Sequence, residues 1–193
     1  MKEDILEQLV DDYLQAKGYF TMHNIKFLPD PGHPEFDRKQ DSNHSDIDVL
    51  GFNPNERGPN RVWAVSCKSW QAGFVVRSKI SEIEDNKKRS GRDSWRAFRE
   101  LVKPKWSQAF IRKVQEVTGE TTFTYVTATT SIRGDKSHWE NHDRFQQQMG
   151  GNPIKLIELR EMIDEVTKDM NKTVVSSQLG RTLQLMKAAQ VLK

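Results

Sequence analysis

Two neighbouring apolar segments carry the side chains whose types and spacing are most suited to chemistry. The first, residues 45–52, contains Asp48, and the second, residues 62–70, contains Ser66 and Lys68. Side chains alternate along a strand, so Ser66 and Lys68 share one face. An acid within an apolar strand is costly to bury unless it has a use. A carboxylate and a lysine on two paired strands therefore predict a metal-dependent phosphodiester hydrolase.

This chemistry needs a bound cation and a positive group near the attacking water. Mg²⁺ prefers hard oxygen ligands and keeps several waters, so one or two carboxylates and a backbone carbonyl suffice. Within the two segments the candidate ligands are Asp48 and the backbone carbonyl of Cys67, and we expect Mn²⁺ to substitute for Mg²⁺. Lys68 would add positive charge at the phosphate or lower the pKa of the attacking water.

Hydropathy periodicity predicts the elements that position these residues. Apolar residues at helical spacing predict an amphipathic helix over residues 3–17, which ends at Gly18. Further helical patterns cover 78–117 (with interruptions at Gly91 and Pro104), 138–149, 158–168 and 176–193. Strands are predicted at 19–28, about 45–53, 61–70, 121–131 and 154–157. This order predicts an α/β fold in which helices flank a mixed sheet.

Three short motifs resemble those of the restriction-endonuclease-like (PD-(D/E)XK) nuclease superfamily, especially its Mrr-like and Holliday-resolvase-like members. In chain order they are the helix pattern from Glu7 to Tyr19, the strand Asp46-Ile47-Asp48 and the strand Val65-Ser66-Cys67-Lys68. The resemblance covers residues 3–168. It implies a three-layer α/β/α sandwich with a central mixed sheet of four to five strands, and a Mg²⁺-dependent endodeoxyribonuclease. It also implies that Glu7 approaches the metal site.

Ser66 stands where the superfamily has a second acidic ligand, so the predicted site lacks one negative charge. In one branch of type II restriction enzymes, which resembles this chain in its S-x-K strand, a glutamate from the following helix supplies the charge. Glu82 lies fourteen residues after Lys68, a similar spacing. Glu7 is the other candidate ligand. Alternatively, the acid is lost, and the chain binds nucleic acid or serves as a subunit of a complex without cutting.

A basic segment between Lys87 and Lys105, with Trp95 and Trp106 around it, predicts contact with a polyanion. Gln71, directly after the second strand, is a further candidate contact. A solvated helix face is the alternative interpretation of the same charges. The predicted DNA-binding residues are Gln71, Lys87, Lys88, Arg89, Arg92 and Arg96.

The composition is that of one polar domain. The chain has 193 residues, of which 35% are hydrophobic and 30% charged, with a mean hydropathy of −0.77 and a formal net charge of +3. No apolar run is long enough to span a bilayer, and the single cysteine excludes an internal disulfide, so we expect a cytoplasmic protein without a membrane partner. We expect a nuclease-like domain over 1–170 and an amphipathic helix over 171–193. That helix packs on the domain or on a partner, which leaves a homodimer or a partner subunit open.

Overall fold

Helices and strands alternate along the chain, and a computed structural model describes them over residues 4–89, 91–168 and 177–191. The helices are α1 (Ile5–Ala16), α2 (Arg38–Asp41), α3 (Val76–Glu84), α4 (Arg99–Val102), α5 (Pro104–Thr118), α6 (Ser137–Glu140), α7 (Asp143–Gln148), α8 (Leu159–Thr167) and α9 (Gln178–Ala188). The strands are β1 (Phe20–Phe27), β2 (Ser45–Phe52), β3 (Val62–Lys68), β4 (Phe74–Val75), β5 (Lys88–Arg89), β6 (Arg92–Asp93), β7 (Thr124–Thr129), β8 (Ile132–Arg133) and β9 (Ile154–Glu158).

Five strands form the central sheet in the order β1-β2-β3-β7-β9. The pairs β1–β2 and β2–β3 are antiparallel, whereas β3–β7 and β7–β9 are parallel. Parallel neighbours need crossover connections, which α3 to α5 supply between β3 and β7, and α6 and α7 supply between β7 and β9. The mixed five-stranded sheet confirms the predicted α/β class and strand count.

Helices cover both faces of the sheet, and each face has its own buried apolar cluster. On one face, α1, α8 and α9 pack over a cluster that includes Leu9, Val49 and Val65. On the other face, the region from α3 to α7 packs over a larger cluster that includes Leu50 and Phe110. The arrangement is compatible with a three-layer sandwich, because an element with an apolar face must bury it against another element.

The segment 78–117 differs most from its prediction. The predicted interruptions are confirmed, since Gly91 has a φ of +76° in the turn between β5 and β6, and Pro104 begins α5. The hairpin formed by β5 and β6, however, replaces a stretch predicted to be helical. Its residues are nearly all polar or charged, so neither a strand period nor a helix period is visible there.

The last helix, α9, packs against the body of its own chain. Leu183 is buried in the cluster beneath α1 and α8, and the Ser177 hydroxyl donates a hydrogen bond to Asp12 Oδ2 at 2.7 Å. The predicted boundary between residues 170 and 171 lies outside the described residues. None of the described helices is long and apolar enough to cross a membrane.

Candidate active site

Asp48 lies where the ladder between β2 and β3 ends. The last pair of the ladder is Val49 with Val65, and beyond it Asp48 Oδ2 accepts a hydrogen bond from the backbone N–H of Cys67 at 2.5 Å. On the other side, Asn24 of β1 lies opposite Asp48 with a φ of +53° and takes no part in the β1–β2 register. The Asp48 carboxylate thus accepts a hydrogen bond from a backbone N–H of the neighbouring strand. This bond fixes the carboxylate at this end of the sheet.

The side chain and the backbone of Cys67 face different surroundings. The side chain packs against the cluster beneath α1 and α8, and burial raises the pKa of its thiol. A thiol with a raised pKa is a poor nucleophile. In an extended strand the N–H and C=O of one residue point to the same side. The Cys67 carbonyl therefore lies on the edge where the N–H binds Asp48, which is where a metal ligand was predicted.

The first turn of α1 brings a second carboxylate to Asp48. Asp4 caps this helix, because its Oδ1 accepts a hydrogen bond from Leu6 N at 2.8 Å. Asp4 Oδ2 accepts another from the hydroxyl of Ser69, just beyond β3, at 2.7 Å. Together the two bonds tie the helix start to the end of β3. Burial, and then the charge of Asp48, raise the pKa of Glu7 in this turn to about 7.

The electrostatics of Asp48 show that the site is short of positive charge. Burial raises the pKa of Asp48 to about 6, although Lys68 and the Cys67 N–H oppose the rise. Two further acids, Asp46 and Glu100, add to it. A carboxylate in a satisfied ion pair has a lowered pKa instead. Perturbed titratable groups of this kind concentrate at functional sites.

A row of polar side chains holds Lys68, and we call it the lysine relay: Lys68, Ser66, Tyr125 and Glu100. Lys68 Nζ donates to Ser66 Oγ at 2.8 Å, Ser66 lies near enough to the Tyr125 hydroxyl to act on its pKa, and Tyr125 donates to Glu100 Oε1 at 2.6 Å. Burial and the Glu100 charge raise the pKa of Tyr125, which keeps it a neutral donor. Ser66 therefore links Lys68 to a buried carboxylate.

Glu82 is engaged with other groups. It is 4% exposed, and it accepts hydrogen bonds from Lys79 Nζ at 3.0 Å, from Ser78 Oγ at 3.1 Å and from Arg89. Burial alone would raise the pKa of Glu82, but these bonds hold it below its usual range. Among the described residues, the charges that act most strongly on Glu82 do not include Asp48. The structure brings Glu7, and not Glu82, to the predicted site.

The predicted DNA-binding residues lie around one cleft of about 1120 Å³ between α3 and the β5–β6 hairpin. Those that line it are Lys88, Arg89, Arg92 and Arg96. Lys87 lies outside the lining and pairs with Asp85 at 2.9 Å. Gln71 is exposed in the turn between Trp70 and Gly73, which both line the cleft.

Sequence reasoning missed Tyr125 and Glu100, and it misread Trp106. Glu100 lies in the segment that was predicted to be basic, and it is buried within the short helix α4. A signal for Tyr125 exists, because it lies on the same face of the predicted strand β7 as Thr127, which pairs with Ser66 of β3. Trp106 is a core residue, 1% exposed, and its Nε1–H donates to Asp41 Oδ1 at 3.1 Å.

Within residues 4–89, 91–168 and 177–191, no three His, Cys, Asp or Glu side chains converge in the manner of a closed metal site. Two carboxylates and a backbone carbonyl are the oxygen donors that this end of the sheet offers. No protein-family model, curated protein or solved structure matches the chain. The case for function therefore depends on the geometry of Asp48, Glu7 and the lysine relay.

Proposed function

We propose that this chain is a metal-dependent nuclease that hydrolyses phosphodiester bonds in DNA. The observation that carries the proposal is the convergence of Asp48, Glu7 and Lys68 at one end of the sheet. Two carboxylates with raised pKa values beside a lysine form the combination that such hydrolysis needs. The resemblance to the restriction-endonuclease-like superfamily supports the proposal, because the same three residues match its motifs.

The oxygen donors at this site fit Mg²⁺, with Mn²⁺ as a substitute. Asp48, Glu7 and the Cys67 carbonyl would hold the ion, because hard divalent cations bind carboxylate and carbonyl oxygens. Its charge would offset the burial and the repulsion between acids that raise the pKa of both carboxylates. When bound, Mg²⁺ acts as a Lewis acid on the phosphate and lowers the pKa of a coordinated water.

The lysine relay gives Lys68 its role. Its ammonium is held by Ser66 at the end of β3, on the face where Asp48 accepts the Cys67 N–H. A fixed positive charge there stabilises the negative charge that develops on the phosphate, without reorganisation during the reaction. Ser66, in this proposal, positions the lysine, and the metal site needs no acid at that position.

The cationic cleft would bind the sugar–phosphate backbone next to the reacting phosphate. The Lys68 ammonium lies 5.4 Å from the ring centroid of Phe98, which belongs to the cleft lining. The cleft and the site therefore share a boundary. Lys88 and Arg92, both exposed on the hairpin, are placed to contact phosphates.

A cleavage assay tests the proposal. Labelled DNA is incubated with the full chain in Mg²⁺, in Mn²⁺ or in EDTA, and the rate is compared with those of Asp48→Asn and Lys68→Met. We expect cleavage in either metal, none in EDTA, and a loss of about 100- to 10,000-fold for Lys68→Met. Circular dichroism checks that both variants are folded. Cleavage by Asp48→Asn at the wild-type rate would overturn the proposal.

A second candidate is a nuclease-like module that binds nucleic acid without cutting it. The engagement of Glu82 with Lys79 and Arg89 favours this candidate, because it occupies the carboxylate whose spacing suited it to replace the acid missing at Ser66. Salt-sensitive DNA binding by the wild type, with no cleavage in Mg²⁺ or Mn²⁺, would support this alternative.

A further inference from the structure

The cleft beside the site is a recess with cationic walls. Helix α3 forms one wall, and the β5–β6 hairpin with the turn that follows it forms the other. Its six lining cations are Lys79, Lys88, Arg89, Arg92, Arg96 and Arg99. Among the described residues that line it, the one acid is Asp93, which pairs with Arg96 at 3.4 Å. The surplus of positive charge fits a polyanionic ligand.

The cations differ in how they are engaged. Glu82 lies buried behind the wall and pairs with Lys79 and Arg89. Lys88 and Arg92 are exposed, and within the described part of the chain neither makes an ion pair. Lys79 and Arg89 are therefore held in place by a carboxylate, while Lys88 and Arg92 are available to pair with a ligand.

The floor of the recess has one partly exposed aromatic side chain, Trp70, and the Phe74 and Phe98 rings behind it are buried. Trp70 is half-buried there, stacked nearly parallel to Phe74 and edge-on to Phe98. The ammonium of Lys79 lies 4.3 Å from the centre of the Trp70 ring. A cation and an aromatic ring are thus in contact inside the recess. Proteins that bind single strands combine these two features, because bases stack on aromatic rings while cations follow the backbone.

The floor of the recess is also close to the site along the polypeptide chain. Trp70 follows Lys68 by two residues, and its backbone N–H donates to the Lys68 carbonyl at 2.8 Å. A nucleic-acid strand whose scissile phosphate lies at Lys68 therefore reaches the recess within a short distance along its own backbone. The recess, at about 1120 Å³, exceeds the about 300–1,000 Å³ of a pocket that encloses one drug-sized ligand.

We propose that this recess binds a single-stranded segment of nucleic acid that continues from the scissile phosphate. The inference rests on the proposed function for the position of that phosphate. A duplex keeps its bases stacked inside and presents phosphates at its rim, so it would contact the hairpin cations and leave the aromatic floor empty. An unpaired strand uses both. The substrate would then be DNA with an unpaired tail, a flap or a frayed end next to the cut.

Fluorescence anisotropy in EDTA separates binding from cleavage. The probes are a labelled oligothymidylate, a blunt duplex of the same length, and that duplex with an unpaired tail. We expect the oligothymidylate and the tailed duplex to bind at least about ten times more tightly than the blunt duplex, since each stacked base contributes about 5- to 150-fold in affinity.

Three variants locate the binding. Trp70→Leu should weaken oligothymidylate binding about 5- to 150-fold and leave blunt-duplex binding nearly unchanged. Arg92→Gln should reduce the slope of log affinity against log salt by about 0.7 for the single strand. The matched control is Arg57→Gln, an exposed arginine in the turn between β2 and β3 at the far end of the sheet, which should change neither.

If Trp70→Leu does not fold, a substitution outside the core still tests the recess. Ala72 is exposed and lines the recess, so Ala72→Glu adds a carboxylate there without disturbing packing. It should weaken oligothymidylate binding at least about tenfold. Equal or tighter binding of the blunt duplex by the wild type, or an equal loss of both probes in Ala72→Glu, would overturn the inference. Tight oligothymidylate binding without any cleavage in Mg²⁺ would sustain the inference and defeat the proposed function.

Discussion

Asp41 and Asp48 are both acids that folding takes largely out of water, but their surroundings are opposite. Asp41, at the end of α2, is 3% exposed, and it accepts hydrogen bonds from Lys105 Nζ at 2.5 Å, Trp106 Nε1 at 3.1 Å and Asp37 N at 2.8 Å. Burial alone would raise the pKa of Asp41, but these bonds hold it below its usual range. The carboxylate joins the loop before β2 to helix α5.

Asp48 accepts one backbone hydrogen bond, and three of its neighbours, Glu7, Asp46 and Glu100, are acids. Its pKa is raised to about 6. The contrast shows that this fold can supply a buried carboxylate with hydrogen-bond donors and a cation, as it does for Asp41. A carboxylate left short of cations costs stability, and proteins keep such costs mainly at functional sites.

The largest expected difference between the two acids is in activity. Asp48→Asn should lower DNA cleavage about 1,000-fold or more, because it removes a ligand of an ion that contributes several kcal/mol to transition-state stabilisation. Asp41→Asn should keep the wild-type rate per folded molecule. Both rates are measured at matched concentrations of folded protein. A comparable loss in the two variants would remove the functional distinction between the acids.

The second difference is in stability. Lys105→Met should lower the free energy of unfolding by about 3 kcal/mol, because it leaves the Asp41 charge buried without its cation. Lys68→Met should cost clearly less, since the hydrogen-bond partner of Lys68 is the neutral Ser66 hydroxyl and Asp48 keeps its bond from the Cys67 N–H. Urea unfolding measures both values. Equal destabilisation by the two substitutions would mean that Lys68, like Lys105, serves mainly to stabilise the fold.

The lysine relay gives a third, smaller effect. Tyr125→Phe should lower kcat about 10- to 100-fold, as expected when a group that orients a catalytic residue is lost, and leave KM and Mn²⁺ affinity unchanged. The matched control is Tyr19→Phe at the other end of the sheet, where the Tyr19 hydroxyl donates to the Asn60 carbonyl at 2.6 Å. Similar kcat values for the two variants would argue against a positioning role for Tyr125.

The smallest effect is on the pH dependence of stability. The folded pKa values of Asp48 and Glu7, about 6 and about 7, lie above the ordinary 3.8 and 4.5, so the folded state takes up protons between about pH 4 and 7. The Tm should therefore rise as the pH falls through this window, and Asp48→Asn should flatten the rise. The lowered pKa of Asp41 acts in reverse, because its stabilisation is present above about pH 4 and is lost below it. A scan of Tm from pH 8 to pH 3 in wild type, Asp48→Asn and Asp41→Asn measures both slopes, and an unchanged slope in Asp48→Asn would contradict this assignment.

Much of the fold was predictable because its elements carry a clear period. The strands β2, β3 and β7 are apolar runs, and α1 has an apolar stripe with an N-cap and a terminating glycine, Gly18. The convergence of Asp48 and Lys68 followed from the pairing of β2 with β3. The β5–β6 hairpin could not be predicted, because its residues are nearly all polar or charged and show no apolar periodicity.

The rest of the site depends on tertiary contacts that spacing does not encode. Glu82 has the spacing of a migrated ligand, yet Lys79 and Arg89 satisfy it locally. Glu100 reaches the site through the packing of α4 and its bond to Tyr125, a residue 25 positions away. Ser66 looked like a missing acid because sequence alone cannot show what its hydroxyl contacts.

The central claim is that Asp48 and Glu7, and not Glu82, hold the metal ion. Isothermal titration of Mn²⁺ into wild type, Asp48→Asn and Glu82→Gln tests it without any need for activity. We predict one Mn²⁺ bound per chain in the wild type, loss of that binding in Asp48→Asn, and wild-type affinity in Glu82→Gln. Full binding by Asp48→Asn, or loss of binding in a folded Glu82→Gln, would contradict the claim.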